Sequence, residues 1–434
     1  MIEVDAPKNQ LVTSTVFKDS ADATAAVVGM YTSIMQFSTT INFANGAITI
    51  YSGLASDELQ TTSTNATVLN FYSNTISPDN SLNNELWRYA YEIIYQANAC
   101  VEGLSASKTL KPSVKNQLLG EAKFIRAFFY FNLVNLYGDV PLITTIDYKK
   151  NAVMPRSSIT DVYQQVINDL KDAEGYLSAG YVTAGRNRPN KFTANALLAR
   201  VYLYRKQWQE AEAEATKVIG AGAYALETDL NNVFVKSSRE SIWQMPPLQA
   251  PLGLAECRQF IPLGSATPVY AISESLRNVF PVNDQRKQQW LSPRVVNGIT
   301  YHIPFKYKLR TSATADEHYV VFRLAEQYLI RAEAKAQLND ITAALNDLNV
   351  VRSRSGLTNV SANSKDVLLA LIATERQLEM FCEWGHRWYD LKRTGAVSSV
   401  LSVAKSSWQD SDALFPVPFN ETQLNPFLTQ NPGY

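Results

Sequence analysis

Three cysteines and three histidines in 434 residues leave little material for the chemistry that depends on them. Cys100, Cys257 and Cys382 cannot build a disulfide framework in a chain this long. No zinc-type spacing of Cys and His occurs, and His302, His318 and His386 are too scattered to read as a metal or catalytic cluster. Cys100 and Cys382 sit in apolar helical surroundings and are expected to be buried small hydrophobes. A GxxxxGK phosphate loop and a GxSxG nucleophile elbow are both absent. No apolar run approaches the roughly 20 residues a membrane-spanning helix requires. Met1 is followed at once by Glu3, Asp5 and Lys8, unlike a secretory signal, so the chain reads as soluble as it stands. Charge of one sign is lacking too: 40 Lys plus Arg balance 40 Asp plus Glu. That balance gives no electrostatic reason to expect nucleic acid or anionic lipid, and it suits a neutral ligand.

Aromatic residues are plentiful, with 22 Tyr, 18 Phe and 7 Trp. Tyr and Trp join an apolar face to a polar edge and suit ligand platforms, although most are expected to fill seams between helices. Helical periodicity dominates. Residues 14–36 carry close-packing alanines, and residues 82–104 carry Leu86, Trp87, Tyr91, Ile94 and Tyr95. Leu118, Ala122, Ile125, Phe129, Leu133 and Leu136 keep to one side of a 3.6-residue helix, with a second stripe of Phe124, Phe128, Phe131 and Val134 beside it. Such a helix belongs inside a packed array, and Gly138, Asp139 and Pro141 end it. A further helix is expected over 157–178, with Ser157 or Ser158 as its cap. Ala199, Ala211 and Ala215, and again Ala332, Ala344 and Leu348, repeat one spacing across a break, which fits helical hairpins of tetratricopeptide type without the usual early tryptophan.

The fold expected is therefore mainly α: a tetratricopeptide-like helical-hairpin array with long irregular loops and a few short strands. We read residues 1–434 as a single unit. Its helical scaffold spans 12–38, 82–219 and 321–395, its loop-rich binding regions are 40–80 and 225–320, and 412–434 is a docking segment. Short strands are expected at 241–244 and 319–322. Loops on a rigid scaffold are where binding often sits.

Paired carboxylates bear on whether the chain cuts glycosidic bonds. Asp57 and Glu58 are adjacent in the first loop region, and neighbours in an extended chain point to opposite sides, so they do not by themselves flank a sugar as cleavage requires. Asp284 and Arg286 are expected to make local loop contacts. In the segment 375–391, Arg376 and Arg387 are expected to reach carboxylates or carbonyls between helices, with Trp384 and Trp388 filling the seam.

Five ordered segments resemble the SusD and RagB family. They are GEAKFIRAFFYFNLVNLYGDVP at 120–141, RLAEQYLIRAEA at 323–334, the ER…E…GHRWYDLK element at 375–392, LFPVP at 414–418 and the closing NP…QNPGY at 425–434. The resemblance spans almost the whole chain. It implies a bacterial surface lipoprotein of the Bacteroidetes type, not an enzyme and without a cofactor. Such a protein binds glycans and closes over a SusC-like TonB-dependent transporter in the outer membrane. The lipid-bearing cysteine is absent, and Met1–Pro7 resembles the residues that follow it. A related scaffold capturing peptides or another nutrient is the alternative, and a glycoside hydrolase a more distant one.

Within that reading, Trp290, Tyr72, Tyr51, Tyr270 and Asp57 are the candidate ligand contacts. They combine ring faces and a carboxylate with segments rich in Gly, Pro, Asn and Ser. Structural roles are expected for Arg126 and Asp139 at the central helix. Phe415, Pro416 and Pro418 are expected to dock the end of the chain, with Asn431 and Tyr434 fixing its last turn.

Overall fold

Pro112 opens a 26-residue helix in which nearly every side chain from Leu118 to Tyr137 is buried. Its position at the first turn costs no hydrogen bond, and apolar residues around the whole circumference force the helix into the interior. The computed structural model describes residues 16–36, 41–248 and 252–434. The readings of Met1–Pro7 and of the start of the 12–38 segment lie outside the described residues.

Helices of eight residues or more are α1 (Ser20–Ile34), α2 (Ala47–Ala55), α3 (Ala66–Ser73), α4 (Ser81–Ala106), α5 (Pro112–Tyr137), α6 (Ile159–Tyr176), α7 (Lys191–Tyr204) and α8 (Trp208–Ile219). After a long insertion come α9 (Leu324–Gln337), α10 (Ile341–Arg354), α11 (Lys365–Met380), α12 (His386–Arg393) and α13 (Val397–Ala404). Each of α4 to α10 packs against the next, and α11 packs on both α9 and α10. The array is therefore continuous in space although residues 220–323 interrupt it in sequence. Local chemistry sets its joints. Ser158 Oγ accepts the Asp161 N–H at 3.1 Å to start α6. Lys206 and Asn339 take positive φ, 58° and 65°, where α7 gives way to α8 and α9 to α10.

Among the described residues, eight short strands form four antiparallel pairs. β1 (Leu59–Thr61) pairs with β5 (Tyr270–Ile272), and β2 (Val140–Pro141) with β3 (Arg156–Ser157). β4 (Ser241–Met245) pairs with β8 (Tyr319–Arg323), which joins the two strands expected from sequence. β6 (Leu291–Val296) and β7 (Ile299–Pro304) form the fourth pair.

The 40–80 segment departs from the expected surface loop. It folds into α2 and α3, and all nine residues of α2 are buried. Small polar side chains are what allow this. Thr49 Oγ1 lies 3.1 Å from the Tyr319 hydroxyl and also accepts the Trp384 N–H, so its hydroxyl needs no water. Gly385 approaches α2 so closely that a Cβ there would sit 2.9 Å from Ser52 Oγ, and its φ of +74° favours glycine as well.

Arg126 is buried on α5, where its guanidinium grips Asp169 of α6 at 2.8 and 2.6 Å and donates to Asn98 of α4. One residue thus ties three helices. Asp139 Oδ1 accepts the Ile159 N–H at 2.8 Å, and its carbonyl accepts from Arg156. At the C-terminal end, the Phe415 N–H donates to Leu136 O at 2.9 Å and Pro416 O accepts from Asn83. Pro418 is buried beside them. Asn431 Nδ2 donates to both Tyr137 O and Phe415 O, and the Tyr434 hydroxyl donates to Leu414 O.

Candidate functional site

The two regions expected to carry ligand do meet. Besides the β1–β5 ladder, the Thr62 N–H donates to Val269 O at 3.0 Å and the Ser273 N–H to Glu58 O at 2.8 Å. Thr61 and Thr62 hydroxyls add bonds to the carbonyls of Val269 and Pro268. Around this seam the 263–267 stretch and Val269 are exposed. The result is a braced surface built from segments about 210 residues apart in sequence.

Most of the side chains proposed to face ligand are buried instead. Trp290 is fully buried: its indole N–H donates to Leu230 O at 3.1 Å, and its ring meets Phe234 edge-on and lies under the Lys306 ammonium at 4.7 Å. Tyr51 stacks on Phe71 with centroids 4.7 Å apart, and Tyr270 meets Phe260 edge-on. Both are buried, so neither ring has a free face for a sugar. Asp57 is buried as well, with both carboxylate oxygens held by Arg387 at 2.7 and 2.8 Å. These four positions are corrected from ligand contacts to interior supports. For the three rings the reason is area, since a large ring gains most by burial, and for Asp57 it is the Arg387 guanidinium that claims both of its oxygens. Tyr72 differs. It is 39% exposed on α3, with the Lys405 ammonium 5.4 Å from its ring centroid. Burial pulls that ammonium down to about 7 despite the pull of Asp57 in the other direction.

Charge concentrates in a seam between β8, α10 and α11. Arg323 bonds to Glu240, Glu379 and Glu383, while Arg354 bonds to Glu240 and Glu379. Arg286 joins the seam through Asp284, Glu375 and Glu379, so the Asp284–Arg286 pair reaches well beyond the local loop contact expected. Despite full burial, the surrounding guanidinium groups hold Glu379 well below the usual carboxylate range. Arg376 holds Asp390 at 2.9 Å between α11 and α12, and Trp388 is fully buried alongside. Beside these groups lies a cavity of about 590 Å³ lined in part by Glu58, Arg376, Arg387 and Asp390. Their charges are already paired within the fold, apart from Glu58, whose carboxylate accepts the Cys382 N–H at 3.3 Å. Burial, then the adjacent Asp57, pushes the Glu58 carboxyl up to about 8.

Asp57 and Glu58 thus face different partners and do not flank a common space as a glycosidase pair must. Among the described residues, no group of three His, Cys, Asp or Glu side chains is placed to hold a metal ion, and no helix is long and apolar enough to cross a membrane.

Comparison with known proteins accords with this arrangement of scaffold and seam. Residues 5–203 match a family model described as starch-binding associating with outer membrane, and residues 275–434 match the SusD family model. The chain is 28% identical over 495 residues to SusD-like protein P2 of Formosa agariphila, covering 99% of this chain and 95% of that relative. A solved SusD superfamily protein of Bacteroides vulgatus shares the fold with a TM-score of 0.84 at 21% identity, over 97% of this chain and all of that one. A solved laminarin-binding SusD-like protein is 26% identical with a TM-score of 0.81, over 96% of this chain and 100% of its own. With matches over 5–203 and 275–434 and relatives aligned along nearly its full length, this chain belongs to the SusD/RagB family of non-catalytic binding proteins.

Proposed function

We propose that the protein binds oligosaccharide or polysaccharide at the bacterial surface and hands it to a partner TonB-dependent outer-membrane transporter. The observation that carries this reading is the pair of SusD-family matches over 5–203 and 275–434, one of them described as starch-binding and outer-membrane-associated. The laminarin-binding relative adds a glycan precedent on the same fold. In this reading the helix pairs α7–α8 and α9–α10 are tetratricopeptide-like supports, and a lipid anchor ahead of the described residues tethers the protein to the membrane.

Physically, a transport receptor needs a site that holds cargo and lets it go. Affinities from micromolar to millimolar correspond to only about 4–8 kcal/mol. A rigid exposed ring supplies part of that through the apolar face of a sugar, at low entropic cost. Tyr72 is the exposed member of the predicted contact set, and α3, which carries it, packs on β1. The test is an arrayed glycan screen followed by titration calorimetry. Tyr72→Ala is expected to weaken binding of the strongest glycan by a few kcal/mol at most, with an unchanged melting curve. Co-purification of the lipidated protein with a TonB-dependent transporter tests delivery. Absence of glycan binding across the screen defeats the reading.

A further inference from the structure

Away from the β1–β5 surface, a groove of about 860 Å³ runs between α4, the 141–152 segment and the C-terminal segment. Trp87, Tyr91 and Tyr95 line it, four residues apart and therefore on one face of α4. Trp87 is almost wholly buried and packs 5.0 Å from the Tyr91 ring, while the Tyr91 hydroxyl donates to Pro141 O at 2.9 Å. Those two contacts hold the row rigid. Tyr95, next along it, is 50% exposed. The facing wall is the docked end of the chain, where Leu424 and Leu428 line the groove and Asn425 Nδ2 fixes the wall to Met154 O at 2.8 Å.

The polar lining has a definite character. Gln96, Asn151 and Asn425 contribute neutral amides. Asn151 Nδ2 donates to Thr145 O at 2.8 Å, but its buried Oδ1 accepts from no group in the protein. With so little surface open, that oxygen stays out of a ligand's reach, which leaves the Gln96 amide as the polar group next to Tyr95 on the lining. Arg88 is the one cation lining the groove, and its guanidinium is already taken by Glu85 and Glu92. Glu92 and Glu421 are carboxylates on the same lining. An anionic ligand would find no free positive charge here and would meet the Glu421 carboxylate, since Glu92 is paired with Arg88.

We propose that this groove is a second carbohydrate subsite that takes a neutral oligosaccharide, with Tyr95 as its stacking platform and the Gln96 amide bonding a sugar hydroxyl. The proposal rests on the glycan-binding reading and adds to it a separate location and a restriction to uncharged sugars. Its size suits a few sugar rings, since ligand sites of about 300–1,000 Å³ are the usual range.

Titration calorimetry with maltohexaose, laminarihexaose, cellohexaose and hexagalacturonate on the wild-type protein, Tyr95→Ala and Gln96→Ala tests it. At least one neutral hexasaccharide is expected to bind the wild type, and Tyr95→Ala is expected to weaken that binding about tenfold. Gln96→Ala is expected to weaken it less, both variants are expected to keep the wild-type unfolding midpoint, and hexagalacturonate is expected neither to bind nor to compete. Wild-type affinity in Tyr95→Ala, or tight binding of hexagalacturonate lost in that variant, overturns the groove while leaving the glycan reading intact. Failure of the wild type to bind any neutral hexasaccharide counts against the glycan reading and takes the groove with it.

Discussion

Along α5, Phe124, Phe128, Phe129 and Phe131 pack ring to ring with Trp243, Phe322, Tyr204 and Phe43. At the seam of β8, α10 and α11, an equally buried volume is held by Arg286, Arg323 and Arg354 against Glu240, Glu375, Glu379 and Glu383. The two interiors solve the same problem differently. A ring finds adequate contact with many neighbours, so the aromatic interior tolerates exchange of partners. A buried charge without its counterpart costs several kcal/mol, so the ionic seam dictates which segments must meet. Those segments come from the insertion, β8, α10 and α11, and the seam is what locks the insertion onto the array. Neither interior offers a site, because the rings are covered and the charges are matched.

Removing one guanidinium from the seam should have the largest effect. Arg323→Met takes one cation from each of Glu240, Glu379 and Glu383, which keep Arg354, Arg286 and Lys306 beside them, and is expected to cost about 4–5 kcal/mol, read from the urea midpoint. A loss below about 1 kcal/mol would mean the seam does not hold the insertion. In the aromatic interior, Phe128→Ala is expected to cost about 3–4 kcal/mol by cavity formation, and Phe128→Leu much less. That graded response is the mark of interchangeable packing, and equal losses for both variants would erase the distinction.

Glu58 borders the ionic region but has no cation bonded to it, and it sharpens the comparison through pH. Its carboxyl is raised from 4.5 to about 8 by burial and by Asp57. The folded protein therefore holds this proton more tightly than the unfolded chain does. The resulting stabilisation is full below pH 4.5 and is lost as pH rises through 8. Glu58→Gln should come close to the wild type near pH 5 and exceed it above pH 8 in denaturant titrations. An unaltered pH profile would show that the carboxylate is compensated. Glu256, also buried and raised to about 8, keeps part of the slope in the variant. The smallest effect belongs to hydrogen bonding at the end of the chain. Asn431→Ala removes two bonds to backbone carbonyls and one accepted from Arg156, and is expected to cost about 1–2 kcal/mol, seen as a modest drop in melting temperature. A drop as large as that of Arg323→Met would place the chain end among the charged supports instead.

Much of the scaffold was legible because helices announce themselves locally. The stripes on α5, the cap at Ser158 and the breaks near Lys206 and Asn339 all follow from residues within a few positions of one another. The same reasoning failed on α2, where Thr49 and Ser52 made an interior helix look like a polar loop. It also missed the groove on α4. Trp87, Tyr91 and Tyr95 were visible as one helical stripe, but the wall that turns the stripe into a groove comes from residues 421–428, more than 300 positions away.

The sequence by itself determined the helical periods, their ends, the lack of histidine and cysteine chemistry, and the motifs that mark the family, because each depends on neighbours along the chain. Tertiary structure alone decided which rings face solvent and which carboxylates are already claimed. Trp290 lies under Lys306, Asp57 is bound by Arg387 from the far end of the chain, and Tyr95 stays open. Exposure and charge pairing are properties of whatever segment comes to rest on a side chain, and in this fold that segment is often hundreds of residues distant.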